Sequence, residues 1–213
     1  MGGKISFGMY RSIDLTVFTV LMIIFEFFSV KGFEWLNGIY ALSLFLVLSL
    51  ITMLRWGIYS IIPIIAGGLT YSLAHPNGTI ETTIVYVVGN LFVLIALVWL
   101  IKGQEKIKNQ NYYLILFVLT GFFGYCLGRA FIGTLVFKKD FIDLVIGYLG
   151  TESLNAIISL VIIFIARKQP GILDNQKQYV KKIQEEENSV EVERWKKVQQ
   201  ISYLMIAKTK YTI

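Results

Sequence analysis

The sequence predicts an all-α integral membrane protein, a six-transmembrane-helix bundle with a cytoplasmic amphipathic C-terminal helix. Three observations lead there. The 213 residues are 55% hydrophobic and only 16% charged, against about 25% charged in an average soluble domain. The charge is absent from long blocks rather than thinned evenly, and the mean hydropathy is +0.64. After Pro170-Gly171 the composition changes to a charged stretch in which apolar residues recur at three- and four-residue steps, the period of an amphipathic helix. This divides the chain into a membrane domain, residues 1–170, and a helical tail, residues 171–213.

Six spans follow from length and lack of charge, since about 20 apolar residues cross a bilayer as a helix. The first is expected over 13–30, entered through Ser12 and Asp14, which favour helix starts. Lys4 and Arg11 before an apolar run imitate a signal peptide. The run is too long, however, and Val30-Lys31-Gly32-Phe33 has no small-x-small cleavage site, so a retained span is expected. The second span covers 38–54 and the third 57–74, with only Arg55-Trp56 between them, so their hairpin must be tight. His75-Pro76-Asn77-Gly78 is a turn. The fourth span covers 80–101, the fifth 112–137 and the sixth 141–166, separated by Lys102–Asn111 and by Lys138-Lys139-Asp140.

Lys4, Arg11, Arg55, Lys102, Lys106, Lys108, Arg167 and Lys168 fall on one side of this arrangement, and Lys31, Lys138 and Lys139 on the other. Positive residues prefer the cytoplasmic side, so both termini are expected in the cytoplasm of a multi-pass plasma-membrane protein. The tail from Asp174 to Ile213 holds eight Lys/Arg and six Asp/Glu. Its apolar residues Tyr179, Val180, Ile183, Val190, Trp195, Val198, Ile201 and Met205 suit a helix lying against the membrane face or a partner.

Composition also excludes function classes. The net charge of +6 sits at the ends of apolar runs, so nucleic acid is not expected. Cys126 is the only cysteine and His75 the only histidine, which removes an internal disulfide and multi-histidine metal sites. Cys126 reads as a small core residue and His75 as a solvated turn residue. There is no phosphate loop, nucleophile elbow or H-E-x-x-H, so no enzyme chemistry, cofactor or metal is expected.

The informative residues are polar ones within the spans. The fifth span carries Arg129, and a cation at that depth costs about 2.5 kcal/mol or more unless it faces protein, water or a counter-charge. The same span carries Gly121, Gly124, Gly128 and Gly133, and the Gly124–Gly128 step admits another helix at close range. At about 1.5 Å of rise per residue, Glu26 lies about 8 Å below the outer surface, Tyr86 about 9 Å, Arg129 about 12 Å, Asn90 about 15 Å, Glu152 about 16 Å and Asn155 about 21 Å. Six polar residues from four spans therefore share the outer half of the bilayer. Arg129 is placed to pair with Glu26 or with Glu152, and the sequence leaves both open. A buried ion pair is not reliably stabilising, which favours an outward-facing pocket for a small polar or zwitterionic solute. In it Arg129 would offer a fork to a carboxylate or phosphate. Tyr40, Tyr86, Tyr125, Tyr148 and Trp99 are candidates to wall a flat ring. Membrane lipid and such a solute are the partners expected.

Several stretches carry a resemblance: Met53-Leu-Arg-Trp-Gly57 continuing to Ile65-Ala-Gly-Gly-Leu69, Val88-Gly-Asn90-Leu, Gly124-Tyr-Cys-Leu-Gly128, and Gly171-Ile-Leu-Asp-Asn-Gln-Lys177. Over about residues 10–185 the chain resembles the substrate-binding S components of energy-coupling factor (ECF) transporters. That resemblance implies a subunit that captures a vitamin-like solute from outside and joins a transmembrane coupling subunit and two cytoplasmic ATPases. Such components often carry an Ala-x-x-x-Ala step on the first span for docking; here Ser12 and Thr16 occupy the nearest positions. The alternatives are a membrane scaffold acting through its tail, and a stand-alone secondary carrier using Glu26 or Glu152 as proton sites.

Overall fold

A computed structural model describes residues 7–35, 42–76, 78–169, 171–176, 178–181, 185, 189–190, 192–197 and 199. Its regular structure among the described residues is entirely helical: α1 (Phe7–Trp35), α2 (Phe45–Trp56), α3 (Ile61–Ala74), α4 (Ile80–Asn90), α5 (Val98–Ile101), α6 (Gln104–Asn109), α7 (Asn111–Phe137) and α8 (Phe141–Ala166). Tighter 3-10 turns over Gly57–Ser60 and Leu91–Leu97 join α2 to α3 and α4 to α5. Five helical runs are long and apolar enough to cross a membrane: Phe7–Gly32, Phe45–Ala74, Ile80–Ile101, Asn111–Phe137 and Phe141–Ala166. Lipid-facing chains of this kind are multi-pass membrane proteins.

The helix boundaries have local causes. At Gly57 the backbone takes φ +59, a conformation that glycine adopts without a Cβ penalty. Pro63 sits in the first turn of α3, where its missing N–H is no loss. Thr79 and Thr82 cap each other's backbone to start α4. Asp140 starts α8 by accepting from the N–H groups of Ile142 and Asp143 at 2.8 and 3.2 Å.

Residues 42–44 are not helical, and the run Phe45–Ala74 holds residues 45–54 of the expected second span and all of the third as one continuous stretch of helix and turn. It nevertheless turns back on itself. A Cβ at Gly67 would lie 3.2 Å from the Phe45 ring, whereas 22 residues of straight helix would separate them by about 33 Å. The expected start of span two, residues 38–41 with Tyr40, lies outside the described residues, as do Lys4, Asn77, Pro170 and Lys177. Two expectations are corrected. Helix α1 is already formed at Phe7, so Ser12 and Asp14 lie inside it rather than at its start. The run over 80–101 is not uniform: after Asn90 it tightens to a 3-10 helix for seven residues. There the α7 backbone comes so close that a Cβ at Gly124 would stand 2.6 Å from the Phe92 carbonyl oxygen.

Eleven of the twelve α2 residues are buried, Arg55 alone excepted, because α1, α7 and α8 pack around it. Helix α3 packs on α1 and α4, and α7 lies between α4 and α8. The core is apolar, with Met22, Leu50, Met53, Ile64 and Phe117 fully buried, and Cys126 is one of its small members. Ile13, Val17 and Phe28 on α1, and Ile146, Ile157 and Val161 on α8, are exposed, as suits faces turned to hydrocarbon. The α4–α7 crossing is the tightest: a Cβ on Gly89 would fall 2.7 Å from the Arg129 Cα, and one on Gly128 2.5 Å from the Gly89 oxygen. The glycine step on α7 therefore serves α4.

Residues Gln176–Ile213 form a second compact unit. Its described residues are helical, and Tyr179, Val190 and Trp195 are exposed there. Ile183, Val198, Ile201 and Met205 lie outside the described residues.

Candidate functional site

The close α4–α7 crossing places Asn90 beside Arg129. Arg129 donates from Nε to the Asn90 side-chain oxygen at 2.6 Å and from Nη1 to Glu152 Oε1 at 2.5 Å. The second carboxylate oxygen of Glu152 accepts from the Tyr125 hydroxyl at 3.2 Å and from the Asn155 amide. Asn155 is one turn further along α8, so both of its partners are within reach. Its own oxygen accepts from the Ser43 N–H at 3.0 Å. The Ser43 hydroxyl donates to Glu26 and accepts from the Phe45 N–H at 2.9 Å, where α2 begins. One connected chain of hydrogen bonds thus runs from Asn90 through Arg129, Glu152, Asn155 and Ser43 to Glu26.

Tyr86 joins through its ring: the Arg129 guanidinium carbon stands 4.7 Å from the ring centroids of both Tyr86 and Tyr125. All six residues singled out by depth are therefore in one assembly. The choice left open for Arg129 resolves to Glu152, while Glu26 is held by Ser43. All but the half-buried Tyr86 are buried, Arg129 being 2% and Glu152 5% exposed. Such a network is stable only when its charges are matched and hydrogen-bonded. The Nδ2 of Asn90 has no hydrogen-bond partner among the described residues.

Beside this network lies a cavity of about 270 Å³, lined by Tyr71, Tyr86, Tyr148, Thr151, Glu152 and Asp143 with Leu144 and Gly147. It sits where the end of α3, the first turns of α4 and the first half of α8 meet. A Cβ at Gly68 would lie 2.6 Å from the Tyr86 carbonyl oxygen, so α3 and α4 touch there and bring the Tyr71 and Tyr86 rings to 4.5 Å. Of the expected aromatic wall, Tyr86 and Tyr148 line the cavity and Tyr125 lies beneath it. Trp99 does not belong to the cavity: its Nε1 donates to Thr120 at 2.8 Å and its ring carries the Lys102 ammonium. Tyr71 and Ser43 were not anticipated. Ser43 had a legible signal, a hydroxyl residue just ahead of an apolar run, which commonly caps a helix. Tyr71, in a span without a charged residue, had none.

A second polar cluster joins the other ends of α1 and α2. Arg55 grips Asp14 with Nε and Nη2, both at 2.8 Å, and donates from Nη1 to the carbonyls of Gly171 and Ile172 at 2.8 and 3.1 Å. The Trp56 indole also donates to Asp14, at 2.5 Å. Gln104 donates to the Leu173 carbonyl at 2.5 Å, and Lys108 pairs with Asp174. Asp14 is thus the counter-charge of a clasp on the segment after α8.

Comparison with protein-family models, with characterised proteins and with solved structures finds no match. The functional reading therefore stands on the site itself.

Proposed function

We propose that this chain is a solute-capturing membrane subunit that binds a small vitamin-like or zwitterionic molecule in an outward-facing pocket, in the manner of an ECF transporter S component. The observation that carries the reading is the juxtaposition of a buried, hydrogen-bonded Arg129–Glu152 pair with an open, tyrosine-lined cavity. An apolar bundle would be simpler to stabilise than one holding this network. Polar groups converging beside a cavity are the common form of a ligand site.

In this reading the chain crosses the membrane six times, with the fold-back at Gly57 separating the second and third crossings. Both termini face the cytoplasm, on the side richer in lysine and arginine. The cavity then opens outward, and the Arg55 clasp and the tail lie at the cytoplasmic face. The transmembrane coupling subunit and ATPases belong to the same proposal, which the family resemblance supports.

The test is native mass spectrometry of the purified chain for a co-purifying small molecule, followed by equilibrium binding. Asn90→Ala and Arg129→Ala are expected to weaken binding at least about tenfold, the equivalent of about 1.4 kcal/mol. Unchanged affinity in a folded Asn90→Ala variant would remove the site assignment. A scaffold role through the tail is favoured by the exposed Val190 and Trp195. Deleting residues 176–213 separates the two: solute capture predicts that solute binding stays intact, and the scaffold role predicts that partner capture is abolished.

A further inference from the structure

We infer that the cavity selects its solute by a cationic group of the ammonium class, held against the rings of Tyr71, Tyr86 and Tyr148 with Asp143 and Glu152 as counter-charges. This rests on the solute-binding reading above and narrows it.

The lining decides the sign. Among the described residues its charged lining members are two carboxylates, Asp143 and Glu152, and no lysine, arginine or histidine lines it. Arg129, the partner of Glu152, does not line the cavity, and neither do Lys138 and Lys139 just ahead of α8. The Arg129 Nε and Nη1 are committed to Asn90 and Glu152, and the Tyr86 and Tyr125 rings each stand 4.7 Å from its guanidinium carbon. Two of the three nitrogens of the fork that the sequence suggested for an incoming carboxylate or phosphate are therefore already engaged. Glu152 is neutralised from behind by Arg129, which leaves Asp143, an exposed residue in the first turn of α8, as the uncompensated charge at the mouth.

An anion entering here would meet a like charge and, among the described lining residues, no cation. An ammonium group would meet the negative faces of aromatic rings, which attract cations best where water is excluded. Tyr71 and Tyr86 make a corner, with centroids 4.5 Å apart and planes inclined by 41°, and Tyr148 supplies another wall. Size limits the solute too. At about 270 Å³ the cavity lies at the low end of small-molecule sites, which run from about 300 to 1,000 Å³, so the recognised part is compact.

Charge-matched probes test this on the full chain in detergent, by calorimetry and thermal unfolding. Choline is set against its neutral isostere 3,3-dimethyl-1-butanol and the anion 3,3-dimethylbutanoate, and benzylammonium against benzyl alcohol and benzoate. At least one cation is expected to bind about tenfold more tightly than its neutral partner, with no saturable binding of either anion. Asp143→Asn, at an exposed position, should reduce that preference, and Tyr148→Leu should weaken the cation without reversing the order. Equal or tighter binding of a neutral or anionic probe overturns the inference, as does a preference unchanged in Asp143→Asn. If an anionic or neutral co-purified solute binds and Tyr148→Leu weakens it, the cation inference falls and solute capture stands. If no probe and no co-purified molecule binds, both fall.

Discussion

Two guanidinium–carboxylate pairs stand at different levels of the bundle, and their surroundings separate them. Arg55 meets Asp14 with two nitrogens, the geometry in which such pairs are strongest, and spends its remaining nitrogen on the backbone carbonyls of Gly171 and Ile172. Arg129 meets Glu152 with one nitrogen and is surrounded by side chains alone, Asn90, Tyr86 and Tyr125. The first closes on its own backbone and ties three segments together. The second is an element of a wall, with a cavity on the far side of its carboxylate. The same ion-pair chemistry serves as a fastening in one region and as the floor of a site in the other.

The largest effect that tests this contrast comes from removing the buried cation. Arg129→Met leaves the Glu152 carboxyl, 5% exposed, without its counter-charge and is expected to destabilise the fold by about 3–5 kcal/mol, measured by denaturant titration in detergent. Adding Glu152→Leu should return part of that loss. It should not return all of it, because Asn90 loses its bond from Arg129 and Tyr125 its bond to Glu152. If the double variant is no more stable than Arg129→Met, the pair is not the network's centre. Next in size is Gly89→Ala. Its Cβ would meet the Arg129 backbone at 2.7 Å, which cannot rotate away, so α4 and α7 must separate at a cost of about 1–3 kcal/mol. Solute affinity should fall with stability there, since the same crossing sets the Asn90–Arg129 bond.

How much of this was legible follows from what one chain encodes. The level of a residue in a span depends only on a fixed rise per residue and on where the charged ends fall. Hence the expected spans 112–137 and 141–166 agree with α7 (Asn111–Phe137) and α8 (Phe141–Ala166), and six polar residues placed by depth proved to share one network. Azimuth and helix order are not encoded that way, so the choice between Glu26 and Glu152 as the partner of Arg129 stayed open until the α7–α8 contact was seen. The same gap hid the clasp. Asp14 looked like a helix-start residue because nothing local to it announces an arginine 41 positions later. Met53-Leu-Arg-Trp-Gly57 and Gly171-Ile-Leu-Asp stood out as separate motifs, and the Arg55 bonds to Gly171 and Ile172 show that they are two halves of one contact.

Arg55→Met sharpens the contrast from the other side. It removes four hydrogen bonds, yet the Arg55 and Asp14 side chains are 11% and 17% exposed, so water can take up part of the loss. A destabilisation of about 1–2 kcal/mol is expected, with faster amide hydrogen exchange confined to residues 171–174. Solute affinity should be unchanged. A fall in affinity as large as that of Asn90→Ala would show that the two regions are coupled, and the separation argued above would fail.

The smallest effect lies at the edge of the clasp. The hydrogen bond from Lys108, assisted by that ammonium's charge and opposed by partial burial, holds the Asp174 carboxyl below its ordinary range. A carboxyl lowered in the folded state adds stability above its unfolded pKa of about 3.9 and loses it as pH falls through the lower folded value. The wild-type chain should therefore lose stability relative to Lys108→Met as the pH is lowered below about 4.5, and the two should differ by a constant amount between pH 6 and 8. Both side chains are about a quarter exposed, 27% and 25%, so the plateau difference should be about 0.5 kcal/mol. It should shrink further in 1 M salt, where the screening length is about 3 Å. A plateau several times larger, or one insensitive to salt, would mean that Lys108 holds the segment after α8 as firmly as Arg55 does.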